Sequence, residues 1–159
     1  MPYRIGIISD THGLLRPEAL AALQGCERIL HAGDIGKPEV LQQLGELAPV
    51  TAVRGNNDKG CWAKELPLSI NLTVGQVGIY LIHDLAELTI DPASTGINIV
   101  VSGHSHKPAI IERSGVSYLN PGSAGPRRFK LPATVAELTI NANSLDMRIV
   151  KLAMNPKKS

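Results

Sequence analysis

The sequence predicts an α/β fold, and three observations in its 159 residues support this class. Short apolar runs typical of β-strands alternate with two helix-like stretches in the first half, which is the order expected of parallel β-α-β units. Most later runs are joined by short turns and favour hairpins. Polar motifs follow directly after several runs, at the strand ends where open α/β sheets build ligand sites.

The first half contains three predicted strands and two predicted helices. Each helix has Pro in its first turn, where the missing N–H has no intrahelical partner to lose. The helices are predicted at residues 17–25 and 38–47, and the strands at residues 3–9, 28–31 and 50–54. This order lays out two β-α-β units, so we expect these strands to be parallel.

The second half favours a string of hairpins. The predicted strands are residues 69–74, 77–83, 98–102, 109–113, 116–119, 134–140 and 145–152, with turns at 75–76, 114–115 and 141–144. We expect residues 1–154 to form a single domain, followed by a loose basic tail over residues 155–159 that contains Lys157 and Lys158.

The composition is that of one globular domain, since 159 residues with 43% hydrophobic content can bury a single core. The net charge of +2 and the aromatic content of 3% disfavour a stable complex with nucleic acid. The two cysteines form no C-x-x-C pair, and the chain shows neither a signal-peptide pattern nor a membrane-spanning run. We therefore expect a cytoplasmic protein with no membrane partner, while homodimer formation stays open.

Four of the five histidines lie in or beside short motifs that also contain Asp or Asn. These motifs are Asp10-Thr11-His12, Gly33-Asp34, Gly55-Asn56-Asn57-Asp58, His83-Asp84 and Gly103-His104-Ser105-His106. On an extended backbone, residues spaced i and i+2 point to the same side, so each of the pairs Asp10/His12 and His104/His106 is expected to offer two ligands to one cleft. The glycines allow sharp turns and close backbone approach there.

The chemistry of this ordered set indicates a site for two metal ions. Four imidazoles, two carboxylates and one amide oxygen form a mixed nitrogen and oxygen environment, which suits Mn²⁺, Fe²⁺, Co²⁺, Ni²⁺ or Zn²⁺ better than Ca²⁺. Two divalent ions with only Asp10 and Asp34 as carboxylate ligands retain a formal positive charge. That surplus would attract a phosphate ester and stabilise its transition state.

The order of these motifs resembles the calcineurin-like metallophosphoesterase superfamily, and in particular its small single-domain bacterial and archaeal phosphodiesterases. The match runs from Asp10 to His106, and the later run of residues 120–123 (Asn-Pro-Gly-Ser), followed by Pro126-Arg127, is similar to a loop of the same subfamily. The resemblance implies a four-layer α/β/β/α sandwich, with two mixed β-sheets flanked by helices. It also implies a dinuclear metal site at the sheet ends. We expect a small phosphate ester as substrate, and whether it is a cyclic nucleotide, another nucleotide diester, a phosphoprotein or a metabolite stays open.

Carried over by motif, the resemblance divides the ligands into two sets that share one carboxylate. Asp10, His12 and His106 would hold one ion, Asn56, His83 and His104 the other, and Asp34 would bridge them. We expect Mn²⁺, with Ni²⁺, Zn²⁺, Fe²⁺ and Co²⁺ as alternatives. We hypothesise that a hydroxide shared by the two ions attacks phosphorus in line with the leaving oxygen.

Asn57 departs from the family pattern, because many relatives carry a His after the metal-binding Asn. An amide can donate a hydrogen bond to the leaving group but cannot give up a proton near neutral pH. We therefore expect slower turnover and a preference for esters with acidic leaving groups, such as aryl diesters.

Several neighbouring residues are expected to support the site from outside the coordination sphere. Asp58 and Asp84 are predicted turn or supporting residues, and His31 is predicted to be structural or to orient Asp34. Arg127 and Arg128 are either substrate-phosphate contacts or ordinary solvated side chains.

Two alternatives to a calcineurin-like hydrolase remain at this stage. A retromer subunit of eukaryotic vesicle sorting resembles this small fold, and it acts as a protein-binding scaffold on a degraded site. All seven candidate positions here still carry coordinating side chains, which favours the enzyme. A zinc hydrolase of unrelated fold is disfavoured, because the sequence contains no H-E-x-x-H motif.

Overall fold

The structure of the protein, a computed structural model, describes residues 2–127, 131–142 and 144–153. The predicted tail at residues 155–159 and Arg128 lie outside the described residues. Within those residues, ten strands form two five-stranded sheets, and no helix has the length and apolar character needed to cross a membrane.

The first sheet contains the two predicted β-α-β units. Its strands are β1 (Tyr3–Ile8), β2 (Arg28–His31), β3 (Val50–Ala52), β9 (Thr134–Asn141) and β10 (Ser144–Lys151), in the order β10-β9-β1-β2-β3. Strands β1, β2 and β3 are parallel, and they are connected by helices α1 (Pro17–Ala22) and α2 (Pro38–Gly45). The prediction of parallel strands in this half is therefore confirmed.

The second sheet only partly follows the predicted string of hairpins. Its strands are β4 (Ser69–Val74), β5 (Val77–Ile82), β6 (Ile99–Val101), β7 (Ala109–Arg113) and β8 (Val116–Asn120), in the order β4-β5-β6-β8-β7. The pairs β4-β5, β7-β8 and, in the first sheet, β9-β10 are antiparallel hairpins, whereas β6 lies parallel to both β5 and β8. All three residues of β6 are buried, which is typical of a central parallel strand.

Three apolar clusters separate the layers. The first lies between the sheets and includes Ile5 and Ile7 of β1 and Ile79 and Leu81 of β5. The second packs α1 and α2 against the outer face of the first sheet, and the third covers the outer face of the second sheet. The predicted α/β sandwich is confirmed, but 3-10 helices at Leu85–Glu87 and Pro92–Thr95 form its fourth layer in place of α-helices.

Some predicted boundaries are wrong. The first helix ends at Ala22 rather than at residue 25, because the chain turns there and Gly25 takes a left-handed φ of 83°. The second ends at Gly45 rather than at residue 47, and β3 ends at Ala52 rather than at residue 54. The short helix α3 (Cys61–Lys64) was not predicted, since four residues are too few to show a helical repeat.

Candidate metal centre

The loops that follow β1 and β2 are joined by backbone hydrogen bonds beyond the ends of the strands. The amide nitrogens of Asp10, His12 and Gly13 donate to the carbonyl oxygens of Gly33, Asp34 and Ile35 at 3.0, 2.9 and 2.7 Å. Parallel strands have their carboxyl ends at one edge, so this pairing places the Asp10 and Asp34 side chains next to each other.

A first group of potential ligands consists of Asp10, His12 and His106. The Oδ1 atom of Asp10 lies 3.4 Å from Nε2 of His106 and 3.8 Å from Nε2 of His12. The two imidazole Nε2 atoms are 3.4 Å apart. Three donor atoms from two different sheets therefore face a common centre.

A second group consists of Asp34, His83 and His104, and Asn56 joins it. Nε2 of His83 lies 3.4 Å from Oδ2 of Asp34 and 3.0 Å from Oδ1 of Asn56. Nδ1 of His104 lies 3.2 Å from the same Asn56 oxygen. Oδ2 of Asp34 is also 3.7 Å from Nε2 of His12, so this carboxylate lies between the two groups.

The distances within both groups fit ligands of a divalent ion. Two atoms held about 2.1 Å from one ion are about 3.0 Å apart at a right angle and about 3.4 Å apart at a tetrahedral angle. The Oδ1 atom of Asp10 is buried and has no hydrogen-bond partner among the described residues, so no hydrogen bond offsets the cost of burying this carboxylate oxygen. A metal ion would satisfy it.

The tautomer of His83 supports the same conclusion. Its Nδ1 lies 2.7 Å from the carbonyl oxygen of Ala32, so this nitrogen carries the proton and donates it. When the His83 ring is neutral, its Nε2 lone pair faces and repels the oxygens of Asp34 and Asn56, whereas in the protonated ring Nε2 donates to Asp34. A cation bound between His83 Nε2 and the oxygens of Asp34 and Asn56 would attract all three atoms and so remove the repulsion between them.

Five of the seven potential ligands have a left-handed backbone. Asp10, His12, Asp34, His104 and His106 take φ angles between 47° and 72°. Such conformations cost non-glycine residues on the order of 1–3 kcal/mol each, and they cluster at functional sites where the surrounding structure holds them. The strain therefore points to selection for ligand geometry.

The two carboxylates have opposite pKa shifts. Burial raises the pKa of Asp10, and the hydrogen bond from Ser9 opposes this only in part. Burial would also raise the pKa of Asp34, but hydrogen bonds from His83 and from the Asn57 backbone amide lower it well below its usual range. Asp34 is thus held as an anion between the two groups.

The family follows from comparison with known proteins. A sequence profile of the calcineurin-like phosphoesterase superfamily domain matches residues 3–143. The chain belongs to this superfamily. Proteins of the family use divalent metals, and the two ligand groups described above are the corresponding candidate sites in this chain.

Three similar proteins illustrate the relationship. A probable metallophosphoesterase of Methanothermobacter thermautotrophicus is 36% identical, covering 92% of this chain and 91% of that protein. A phosphodiesterase of Methanocaldococcus jannaschii is 28% identical, covering 75% of this chain and 82% of that protein. The crystal structure of Vps29 from Chaetomium thermophilum has a TM-score of 0.83 at 19% identity, covering 99% of this chain and 92% of that one, which shows the fold alone.

The structure brings all seven predicted ligands to one edge, but not for the predicted reason. Spacing of i and i+2 places two side chains on one side only when the backbone is extended, whereas Asp10, His12, His104 and His106 are left-handed. The second pair divides, with His106 in the first group and His104 in the second. The extended backbone assumed for these pairs is wrong, whereas the division of His104 and His106 between the two groups is the one that the resemblance implied.

The glycines of the motifs matter mainly because they lack a Cβ atom. Of the three, Gly33 has a positive φ, at 102°, whereas Gly55 and Gly103 do not. A Cβ on Gly103 would lie 2.7 Å from Oδ2 of Asp10, and one on Gly55 would clash with the backbone nitrogen of Asp34. The predicted sharp turn therefore applies to Gly33, and close approach applies to all three.

Asp58 and His31 connect the loops that carry the ligands. The Asp58 carboxylate accepts hydrogen bonds from the amides of Gly36 and Gly55, both at 2.9 Å. Buried His31 accepts a hydrogen bond from the Gly33 amide at Nδ1, and its Nε2 lies 3.0 Å from the hydroxyl of Thr11. His31 therefore has the structural role that was one of its two predicted alternatives, and these two contacts go to the flanking loops rather than to the Asp34 carboxylate.

Other predicted residues have different surroundings. Asp84 accepts a hydrogen bond from the Ala86 amide, and its Oδ2 lies 3.8 Å from Nε2 of His104. The side chain of exposed Arg127 donates to the Leu131 carbonyl at 3.3 Å. A substrate contact by Arg127 therefore stays a prediction.

Motif analysis missed three hydroxyl residues that support the ligands. The Ser9 hydroxyl donates to Oδ2 of Asp10 at 2.7 Å, and that of Ser123 donates to the Asp10 carbonyl at 3.0 Å. Thr11 donates to the Ile35 carbonyl at 2.8 Å. Ser9 and Thr11 flank Asp10 in the sequence, but such residues are too common beside strand ends to be singled out without the fold.

Proposed function

We propose that this phosphoesterase is a dinuclear metal-dependent phosphodiesterase. The observation that carries the proposal is the position of Asp34 Oδ2, 3.4 Å from His83 of one ligand group and 3.7 Å from His12 of the other. A carboxylate shared in this way would allow two ions to act on one substrate. The similarity to a curated phosphodiesterase favours diesters over monoesters.

The proposed ligands follow the two groups. Asp10, His12 and His106 would hold one ion, Asn56, His83 and His104 would hold the other, and Asp34 would bridge them. We propose Mn²⁺ as the resident ion, with Ni²⁺, Zn²⁺, Fe²⁺ and Co²⁺ as alternatives that the same mixed nitrogen and oxygen donors would also bind. When bound, the two ions would supply a water of lowered pKa and positive charge for the phosphoryl oxygens.

Asn57 positions the Asp34 carboxylate and limits proton transfer to the leaving group. The backbone amide of Asn57 donates to Oδ1 of Asp34 at 2.9 Å, and its side-chain amide donates to Oδ2 at 3.1 Å. Asn57 therefore holds the bridging carboxylate, and it has no acidic proton for a leaving group. Esters with acidic leaving groups, such as aryl diesters, should react fastest.

The substrate and setting are further parts of the proposal. A small phosphate ester such as a nucleotide suits the ligand groups, and Arg127 is proposed as a contact to its phosphate. The exposed side chains of Asn56 and Asn57 indicate the open side of the site. We propose that the enzyme acts in the cytoplasm, without membrane or stable nucleic acid partners.

The test is metal removal followed by separate reconstitution. Protein stripped with chelator would receive Mn²⁺, Ni²⁺, Zn²⁺ or Mg²⁺, and bis(p-nitrophenyl) phosphate would be compared with p-nitrophenyl phosphate. We expect metal-dependent hydrolysis with the diester favoured. Asp34→Ala should abolish it, whereas Asp146→Ala, an exposed carboxylate on β10, should match wild type.

Two outcomes would contradict the proposal. One is a failure of every metal to restore hydrolysis, and the other is equal activity of Asp34→Ala and wild type. The role of Asn57 has its own test, because Asn57→His should raise the rate on alkyl diesters relative to aryl diesters. An unchanged ratio would refute the view that an acid is missing at this position.

A further inference from the structure

A cavity of about 310 Å³ lies directly beside the candidate metal centre, on the outer face of the second sheet. Its wall includes His104, which belongs to the second ligand group, and the neighbouring residues Ser105 and Lys107. The volume is at the lower end of the roughly 300–1,000 Å³ usual for small-molecule sites. A larger cavity of about 590 Å³ lies at the opposite ends of the strands and contains none of the candidate ligands.

The strand register explains why part of this wall is apolar. Ile111 of β7 is paired with Tyr118 of β8, and Ala109 with Asn120, so these four side chains share one face of the hairpin. All four line the cavity, together with Leu85 from the 3-10 helix opposite. Ile111 is 47% exposed and Leu85 is 39% exposed, so both side chains present apolar surface to the cavity.

Some of the polar side chains in the cavity wall already have hydrogen-bond partners. The side-chain amide of Asn120 donates to the Gly103 carbonyl and to the Ser105 hydroxyl. Among the described residues, Lys107 is the only Lys or Arg side chain in the wall, and Asp84 is the only carboxylate. A ligand group in this cavity would therefore meet mainly hydrocarbon.

The cavity also lies on the accessible side of the centre. His104 has 46% of its side chain exposed, whereas the side chains of His83 and His106 are each only 5% exposed. A phosphate held between the two ligand groups would thus be open towards His104, and a substituent on it would extend past His104 into the cavity.

We propose that this cavity binds the organic group of the phosphate ester and selects an apolar or aromatic group of about the size of a phenyl ring or a nucleobase. Ile111 and Tyr118 form the wall that contacts the group, and small alkyl groups leave that wall uncovered. The inference rests on the proposed function, which places the phosphate at the metal centre.

Binding of phosphonates tests the inference without relying on turnover, because their C–P bond is not hydrolysed. Calorimetry on Mn²⁺-loaded protein would compare phenylphosphonate with methylphosphonate. We expect phenylphosphonate to bind at least tenfold more tightly. Ile111→Gln should weaken phenylphosphonate about fivefold or more and leave methylphosphonate unchanged.

Ile110→Gln is the matched control, because Ile110 is the adjacent residue of β7, is 41% exposed and does not line the cavity. It should bind both phosphonates as wild type does. Equal affinity of the two phosphonates, or equal losses in the two variants, would overturn the inference. If phenylphosphonate is preferred but no metal supports hydrolysis, the cavity is supported and the phosphodiesterase proposal fails.

Discussion

Replacing Gly33 by Ala should disable the metal centre through His83. A Cβ atom at residue 33 would lie 2.7 Å from Nδ1 and 2.9 Å from Cγ of His83, and 3.0 Å from Cα of Gly55. His83 cannot turn away easily, because its Nδ1 is hydrogen-bonded to the Ala32 carbonyl at 2.7 Å. The ring must retreat by about 0.7 Å to reach an ordinary 3.4 Å contact.

The magnitude follows from this displacement and from the backbone. A misplacement of about 1 Å can reduce an enzymatic rate about 100-fold, so we expect a loss of that order in metal-dependent diester hydrolysis. The φ of 102° at Gly33 adds strain for Ala. Strain and overpacking together should lower the free energy of unfolding by roughly 2 to 6 kcal/mol.

Two control variants separate the causes. Gly115→Ala introduces Ala at a φ of 78° with nothing within 4 Å of the new Cβ, and Gly45→Ala introduces it in open space at the end of α2 without a positive φ. Gly115→Ala should lose about 1–2 kcal/mol of stability and keep its activity. Gly45→Ala should gain a few tenths to about 1 kcal/mol.

The assay is hydrolysis of bis(p-nitrophenyl) phosphate after Mn²⁺ loading, beside urea denaturation of each variant. Activity of folded Gly33→Ala within threefold of wild type would refute the argument from displacement of His83. An equal loss of activity in Gly115→Ala would also refute it, because general destabilisation would then explain both.

Further predictions concern stability. Asp58→Asn should lower the free energy of unfolding by about 1–3 kcal/mol, because one of two backbone amides loses its acceptor; urea denaturation equal to that of wild type would contradict this. Burial lowers the pKa of His31 from 6.5 to about 3. Between pH 6.5 and about 3, the unfolded chain therefore binds a proton that the folded chain does not. The free energy of unfolding should fall by up to about 5 kcal/mol as the pH falls through this range. The pH dependence of the free energy of unfolding should be weaker in metal-free His31→Gln than in metal-free wild type. Identical pH profiles of the two proteins would refute this prediction. Adding Mn²⁺ to stripped wild-type protein at about 100 times the wild-type Kd should raise the free energy of unfolding by about 2.7 kcal/mol, measured as a higher melting temperature. Asp34→Ala at the same Mn²⁺ concentration should show a smaller rise in melting temperature. An equal rise would contradict the bridging role of Asp34.

The sequence alone was sufficient to predict the fold class, the family and the set of candidate ligands. Parallel β-α-β units are visible in it because Pro-initiated helices and apolar strands leave local patterns, and residues 28–31, 69–74 and 109–113 have the predicted strand bounds. The candidate ligands could be listed because five short motifs occur in a fixed order. These properties are local or ordered along the chain, so no contact had to be known.

Contacts between distant segments were decided only by the tertiary structure. The division of His104 and His106 between two groups follows the resemblance, but the left-handed backbone at both residues was not predicted from their spacing. The apolar cavity depends on the pairing of Ile111 with Tyr118 and on Leu85 from another layer. The physical reason is that residue types and spacing specify which atoms can coordinate a metal, whereas only packing between segments determines where those atoms meet and what lies beside them.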